Sequence, residues 1–151
     1  MNAVKTNQKG FSIIEVVLVL AIAGLIFLMV FVALPALQRS QRDQARRSDV
    51  GVVGSAISSY ASNNRGKLPT STADLRQYVD NLSAYDKDTD LVLTNGTTGN
   101  PTANEIRAHI GAKCNTATNA TAGSVVDGTS RQAAVRVVLE GSGNKVFCQD
   151  V

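Results

Sequence analysis

From Val16 to Leu37 the chain runs 22 residues without a charge or a strongly polar side chain. Phe11, Ile13 and Ile14 carry that apolar character further toward the N-terminus, past one acid, Glu15. At about 1.5 Å per helical residue the run reaches roughly 33 Å, against a hydrocarbon core of about 30 Å. Residues 38–49 are polar on every side but hold no breaker, so the helix can continue through them. Apolar periodicity then resumes at Val50, Val53, Ile57 and Tyr60, spaced three, four and three. The pattern predicts one helix over residues 11–62, its first half in lipid and its second half amphipathic. Its stripe from Val50 to Tyr60 is expected to pack on a sheet. Asn63-Asn64-Arg65-Gly66 ends the helix, and Pro69 enforces the stop. Gly24 and Pro35 are the helix-weakening residues of the apolar half, and Pro35 is expected to kink it.

Ser71-Thr72-Ala73-Asp74 has the spacing of a capping box, followed by Leu75, Tyr78, Val79 and Leu82 at helical intervals, so a second short helix is expected. Strands take over beyond it. Leu91–Thr94 ends at the turn signal Asn95-Gly96, and Ile106, Ala108 and Ile110 alternate with Arg107 and His109. Ala133, Val135, Val137 and Leu139 alternate through a third strand. The loop Gly141-Ser142-Gly143-Asn144 turns it into a fourth over Lys145–Cys148. Residues 115–130 are rich in Thr, Ala, Asn and Gly and read as a mobile surface loop.

Composition sharpens this picture in two places. The part beyond residue 37 has three Tyr, no Trp and only Phe147 of the four Phe, so its core is thin. The only two cysteines, Cys114 and Cys148, both lie there. A pair in a small domain beyond a membrane segment reads as a disulfide in an oxidising compartment, and the alternative is two free thiols in a reducing one. The net charge of +3 is mild and includes Lys5 and Lys9, so nothing demands a nucleic-acid partner.

Among candidate chemical groups, Glu15 stands out, because a carboxylate one turn inside an apolar run is costly in lipid and implies a partner. Asp86, Asp88 and Asp90 alternate like the opening of a calcium loop. The sixth position is Leu91 instead of Gly and the twelfth is Thr97 instead of Glu, so a solvated acidic turn competes with a weak calcium site. His109 is the single histidine and lies in a strand pattern. No nucleophile–base set can be built around it, no other metal site is evident, no cofactor is expected, and the chain does not read as an enzyme.

Basic residues, Gly10-Phe11, Ser12, two aliphatics, Glu15 and about twenty apolar residues form a specific order. Over residues 5–62 the chain resembles type IV pilins and their pseudopilin relatives. The resemblance implies that a prepilin peptidase cuts between Gly10 and Phe11 and methylates the new amine of Phe11. It implies that Glu15 guides a subunit into the filament, by pairing with the Phe11 amine of a neighbouring helix. Gly24 fits a position near which the helix loosens in assembled pili. Pro35 departs from the family, many members of which carry their proline nearer Val32. An α-amine with a pKa of about 8 is largely cationic at neutral pH, so pairing it with Glu15 in a dry bundle would set axial register.

The expected fold is α+β and pilin-like: a long N-terminal helix, half transmembrane and half amphipathic, packed on a small antiparallel sheet. The expected organisation is a leader at 1–10, a transmembrane and filament-core helix at 11–37, and an extracytoplasmic globular domain at 38–151. The expected function is a structural subunit of a pilus-like filament, a helical homo-oligomer. The alternative is a pseudopilin or minor pilin of a secretion or DNA-uptake system. The implied partners are the prepilin peptidase, the assembly platform with its ATPase, and the cytoplasmic membrane before assembly; nucleic acid enters only for a DNA-uptake pilus. The chain would pass from a single-pass precursor in that membrane to the cell surface. Arg39, Arg42, Arg46 and Arg47 beyond the apolar run favour the opposite orientation by charge alone. The cysteine pair and the processing motif outweigh them. A third reading, from another class, is a membrane-tethered module that binds through the acidic turn or through residues 115–130.

Overall fold

The computed structural model describes residues 10–141, 143 and 145–151. Lys5 and Lys9 of the basic leader, and Ser142 and Asn144 of the expected hairpin loop, lie outside the described residues. The fold is α+β. Helix α1 spans Ile13–Asn63 and helix α2 Thr72–Arg76. The strands are β1 (Leu91–Asn95), β2 (Ile106–Ile110), β3 (Ala112–Cys114), β4 (Val125–Asp127), β5 (Ala133–Val138) and β6 (Val146–Asp150). Internal packing divides the chain into two units, 1–37 and 38–151.

In the first unit, residues 13–37 are helical throughout, including Gly24 and Pro35. The helix assignment runs unbroken past Pro35, whose missing N–H removes one bond of the ladder. No residue in the most apolar 18-residue window is buried. Phe11 is 90% exposed, and Leu25, Met29 and Phe31 are more than two-thirds exposed.

In the second unit the expected stripe is the core. Val50, Val53 and Ile57 are fully buried, joined by Ala56 and by Leu91, Ile106, Ala108, Ala133, Val135 and Val137 from the sheet. Tyr60, at the end of the stripe, meets Tyr78 edge-on with ring centroids 5.4 Å apart. The helix then stops where its sequence says it should. The Gly66 N–H reaches back to the Ala61 carbonyl at 2.7 Å, with Arg65 (φ 56°) and Gly66 (φ 79°) in the left-handed region. The capping box at the start of α2 also forms. Ser71 Oγ accepts from the Asp74 N–H and Asp74 Oδ2 accepts from the Ser71 N–H, both at 3.2 Å. Yet α2 lasts only five residues. Leu75 and Val79 both reach the core, Val79 from the turn that follows.

The main sheet has the order β1-β2-β5-β6. It is mixed, which corrects the wholly antiparallel expectation: β1 and β2 run parallel, Leu91 opposite Ile106 and Asn95 opposite Ile110. Parallel neighbours need a return crossing, and residues 96–105 provide one in place of a hairpin. The pairs β2–β5 and β5–β6 are antiparallel. All six residues of β5 are buried, as befits a central strand covered on both faces. The stretch 115–130 is not loop throughout: β4 lies within it and pairs with β3 as a second, two-stranded sheet. Three-residue strands are too short to show a period in sequence. β3 lies against β5 and β6. Cys114 on β3 and Cys148 on β6 are joined by a disulfide, Cα atoms 5.9 Å apart and 34 residues apart in sequence. Beside it, the Cys114 N–H donates to Asp150 Oδ1 at 2.6 Å.

Candidate processing and assembly site

Gly10, Phe11 and Ser12 precede the helix as exposed, non-helical backbone. A peptidase requires that kind of backbone, since a scissile bond inside a hydrogen-bonded helix cannot reach a catalytic group in extended form. Ser12 sits at the N-cap. Its carbonyl accepts from the N–H groups of Glu15 (3.1 Å) and Val16 (3.4 Å). Its own N–H donates to Glu15 Oε2 at 3.0 Å. This is the reciprocal half of a capping box, with Glu15 three residues after the hydroxyl residue. A free helix start leaves N–H groups without partners and carries partial positive charge, and Glu15 answers both. Sequence reasoning singled out Glu15 without this local partner, although Ser-x-x-Glu before an apolar run is a readable signature. The bond occupies Oε2, and Oε1 is left for another donor. Cutting after Gly10 would leave the Ser12 amide intact, so the cap survives processing.

Gly24 lies on the exposed helix surface, where an added Cβ would meet nothing within 4 Å. It is helical here, as is Pro35.

In the second unit the structure buries three residues of the stretch 38–49 that reads in sequence as polar on every side. Asp43, Arg46 and Asp49 are 9%, 8% and 0% exposed. Asp43 accepts from the N–H groups of Glu140 (2.7 Å) and Gly141 (2.9 Å). Arg46 donates to the Val138 carbonyl and to Glu140 Oε1, each at 2.6 Å, and lies over the Tyr85 ring. Asp49 accepts from the N–H groups of Ser83 and Ala84, each at 2.7 Å. The apolar half-pattern 50, 53, 57 extends backward through 46 and 43, so these residues continue the buried face with polar groups. They fasten the backbone of residues 83–84 and of 138–141 to the helix. Burial raises the Tyr85 pKa, with Arg46 opposing it and Asp49 adding to it.

The side chains of Asp86 and Asp90 bond to backbone of their own loop, and Asp88 takes part through its backbone. Asp86 Oδ1 accepts from the Asp88 N–H at 2.7 Å, Asp90 Oδ2 from the Asp86 N–H at 2.9 Å, and the Asp88 carbonyl accepts from Arg76. Among the described residues no group of three or more His, Cys, Asp or Glu side chains could hold a metal ion.

Residues 5–31 match the family model for the prokaryotic N-terminal methylation motif, the prepilin-type signal of type IV pilins and pseudopilins. No curated protein and no solved structure matches the chain. The motif supports a type IV pilin-like or pseudopilin subunit, and the apolar helix that follows it and the disulfide in the α+β domain fit that reading. They fit a membrane-anchored precursor that undergoes prepilin-type processing.

Proposed function

We propose that this chain is a structural subunit of a type IV pilus-like extracellular filament. Its residues 1–10 act as a leader, 11–37 as membrane anchor and then filament core, and 38–151 as the extracytoplasmic domain. Prepilin peptidase cleaves between Gly10 and Phe11 and the Phe11 amine is methylated. The assembly platform and its ATPase then move the subunit from membrane to filament. The observation that supports this most is the bare apolar helix at 13–37, opening on Glu15. Such a surface is stable only in lipid or against its own kind. Glu15 spends one oxygen on the Ser12 amide and keeps the other for a neighbour's Phe11 amine.

Intact-mass measurement of the chain in sheared surface filaments tests the reading, together with electron microscopy of the same fraction. A subunit that begins at a methylated Phe11 and makes up the bulk of the filaments is the expected result. A chain that still begins at Met1 in filaments overturns it. A processed chain that stays in membranes with short or no filaments assigns it to the pseudopilins or minor pilins instead.

A further inference from the structure

The register of β2 and β5 places Arg107 directly opposite Arg136, so two like charges share one face of the sheet. This is the face opposite Val135 and Val137, which point to the α1 core. Arg107 is neutralised: its Nη2 lies 2.5 Å and its Nε 2.6 Å from Glu105 Oε1. Arg136 is only 3% exposed and, among the described residues, pairs with no carboxylate. Its partners are all neutral. Nη1 donates to the Gly99 carbonyl at 3.2 Å and to His109 Nε2 at 3.3 Å, and Nη2 donates to Asn100 Oδ1 at 3.1 Å. His109 Nδ1–H donates to the Gly96 carbonyl at 2.9 Å, which leaves Nε2 as an acceptor. Burial lowers the His109 pKa, against the Gly96 bond and with the two arginines adding to the effect, so the imidazole is neutral.

Three of the five guanidinium donors are therefore used. The Nε–H and the second Nη2–H remain, and Nε is buried with no partner among the described residues. Those two nitrogens share an edge of the guanidinium plane, the fork that takes an oxyanion with two parallel hydrogen bonds. A buried cation without a counter-charge is unfavourable, and natural interiors rarely leave one so. Arg136 lines a cleft of about 510 Å³ between residues 100–103, residues 121–124 and strands β5 and β6. A second orphan lines the same cleft: Ser124 Oγ is buried without a partner. The wall that carries Ser124 packs closely on β6: a Cβ at Gly123 (φ 71°) would collide with the Val146 carbonyl. Pro101 and Val146 add apolar surface.

We propose that this cleft binds a small molecule through an oxyanion, a carboxylate or a phosphate, held on the Nε/Nη2 edge of Arg136 and by the Ser124 hydroxyl. The depth of Arg136 selects a group that enters the cleft over a flat partner surface. The site does not depend on the filament role of the chain.

The test uses the full chain in detergent micelles, titrated with malonate and with inorganic phosphate against sodium chloride at matched ionic strength. Thermal unfolding and the 15N–1H resonance of the Arg136 Nε–H are both followed. A saturable rise in Tm with malonate or phosphate, absent with chloride, should share its midpoint with a shift of that resonance. Arg136→Lys keeps the charge and removes the fork, and should weaken the apparent affinity about tenfold or more. Ser124→Val should weaken it by a smaller factor, and decides the matter with the wild-type resonance if Arg136→Lys does not fold. Equal stabilisation by chloride, or a Tm rise with an unmoved Arg136 resonance, overturns the proposal.

Discussion

The two halves of α1 share one helical geometry and differ in what their side chains find. Along 13–37 apolar residues cover the whole circumference, and in the structure they remain exposed. Along 43–57 the buried face is narrow, and each group on it is matched within the domain: Val50, Val53 and Ile57 by the sheet, Asp43, Arg46 and Asp49 by loop backbone and Glu140. An element is helical in both cases, yet among the described residues only the second half meets its partner in the same chain. In the function proposed above, the first half finds its partner outside the chain, as lipid and then as neighbouring subunits. Mutations in the first half should therefore alter location and assembly with little effect on domain stability, and mutations in the second half should do the reverse.

The largest effect expected on the first half is from Glu15→Val. Losing a charge cannot hinder insertion of the apolar run. The cap bond to Ser12 contributes only about 0.5–2 kcal/mol and lies outside the domain. The variant should be processed and membrane-resident at wild-type abundance, while most of its yield in sheared filaments is lost. Membrane and filament fractions, mutant beside wild type, report this directly. Normal filament yield would remove the asymmetry between the halves.

On the second half, Asp49→Ala should give the largest loss. It strips the acceptor from two N–H groups near a fully buried carboxylate, at about 1.5–3 kcal/mol for each charge-assisted bond. Unfolding should become easier by about 3–5 kcal/mol, read by denaturant titration of the full chain in micelles, with processing unchanged. Cys148→Ser should cost roughly 2–4 kcal/mol by reopening the loop from Cys114, again without effect on cleavage. Alkylation of both cysteines without prior reduction would contradict the bond itself.

Much of this arrangement was written where sequence patterns are contiguous. The helix follows from the apolar run and the stripe at Val50–Tyr60, joined by a polar stretch without a breaker, and ends at Asn63, one residue past its expected end. β2 keeps its expected bounds because Ile106, Ala108 and Ile110 alternate cleanly. The methylation motif could be read because Gly10, Phe11 and Glu15 are neighbours in the chain. What escaped depends on partners far away in sequence. Polar residues at 43, 46 and 49 look solvated until the loops at 83–84 and 138–141 arrive to receive them. The parallel pairing of β1 with β2 is a decision of the connection 96–105, which has no period of its own. Arg136 and His109 occupy alternate strand positions that would ordinarily face water, and the segment 96–100 meets them there through the Gly96 and Gly99 carbonyls and the Asn100 side chain.

The smallest expected effect sharpens the same contrast through pH. His109 is fully buried, and its folded pKa lies below the ordinary value of about 6.5 because burial disfavours the imidazolium. The unfolded chain therefore binds more protons than the folded chain as pH falls below about 6.5. The stability in question is fully present above that pH and is lost as pH drops toward the folded pKa, by at most about 1.4 kcal/mol per pH unit for one group. Arg136 adds to the penalty, since a protonated His109 could no longer accept its Nη1–H and would face it as a like charge. His109→Gln keeps a donor for Gly96 and an acceptor for Arg136 but cannot titrate. Thermal unfolding at pH 7.5 and pH 5.5 should show a Tm loss in the wild type that is clearly smaller in His109→Gln. Equal losses in the two proteins would move the acid sensitivity to the carboxylates. The assembly proposed for residues 11–37 should be indifferent to this substitution at either pH.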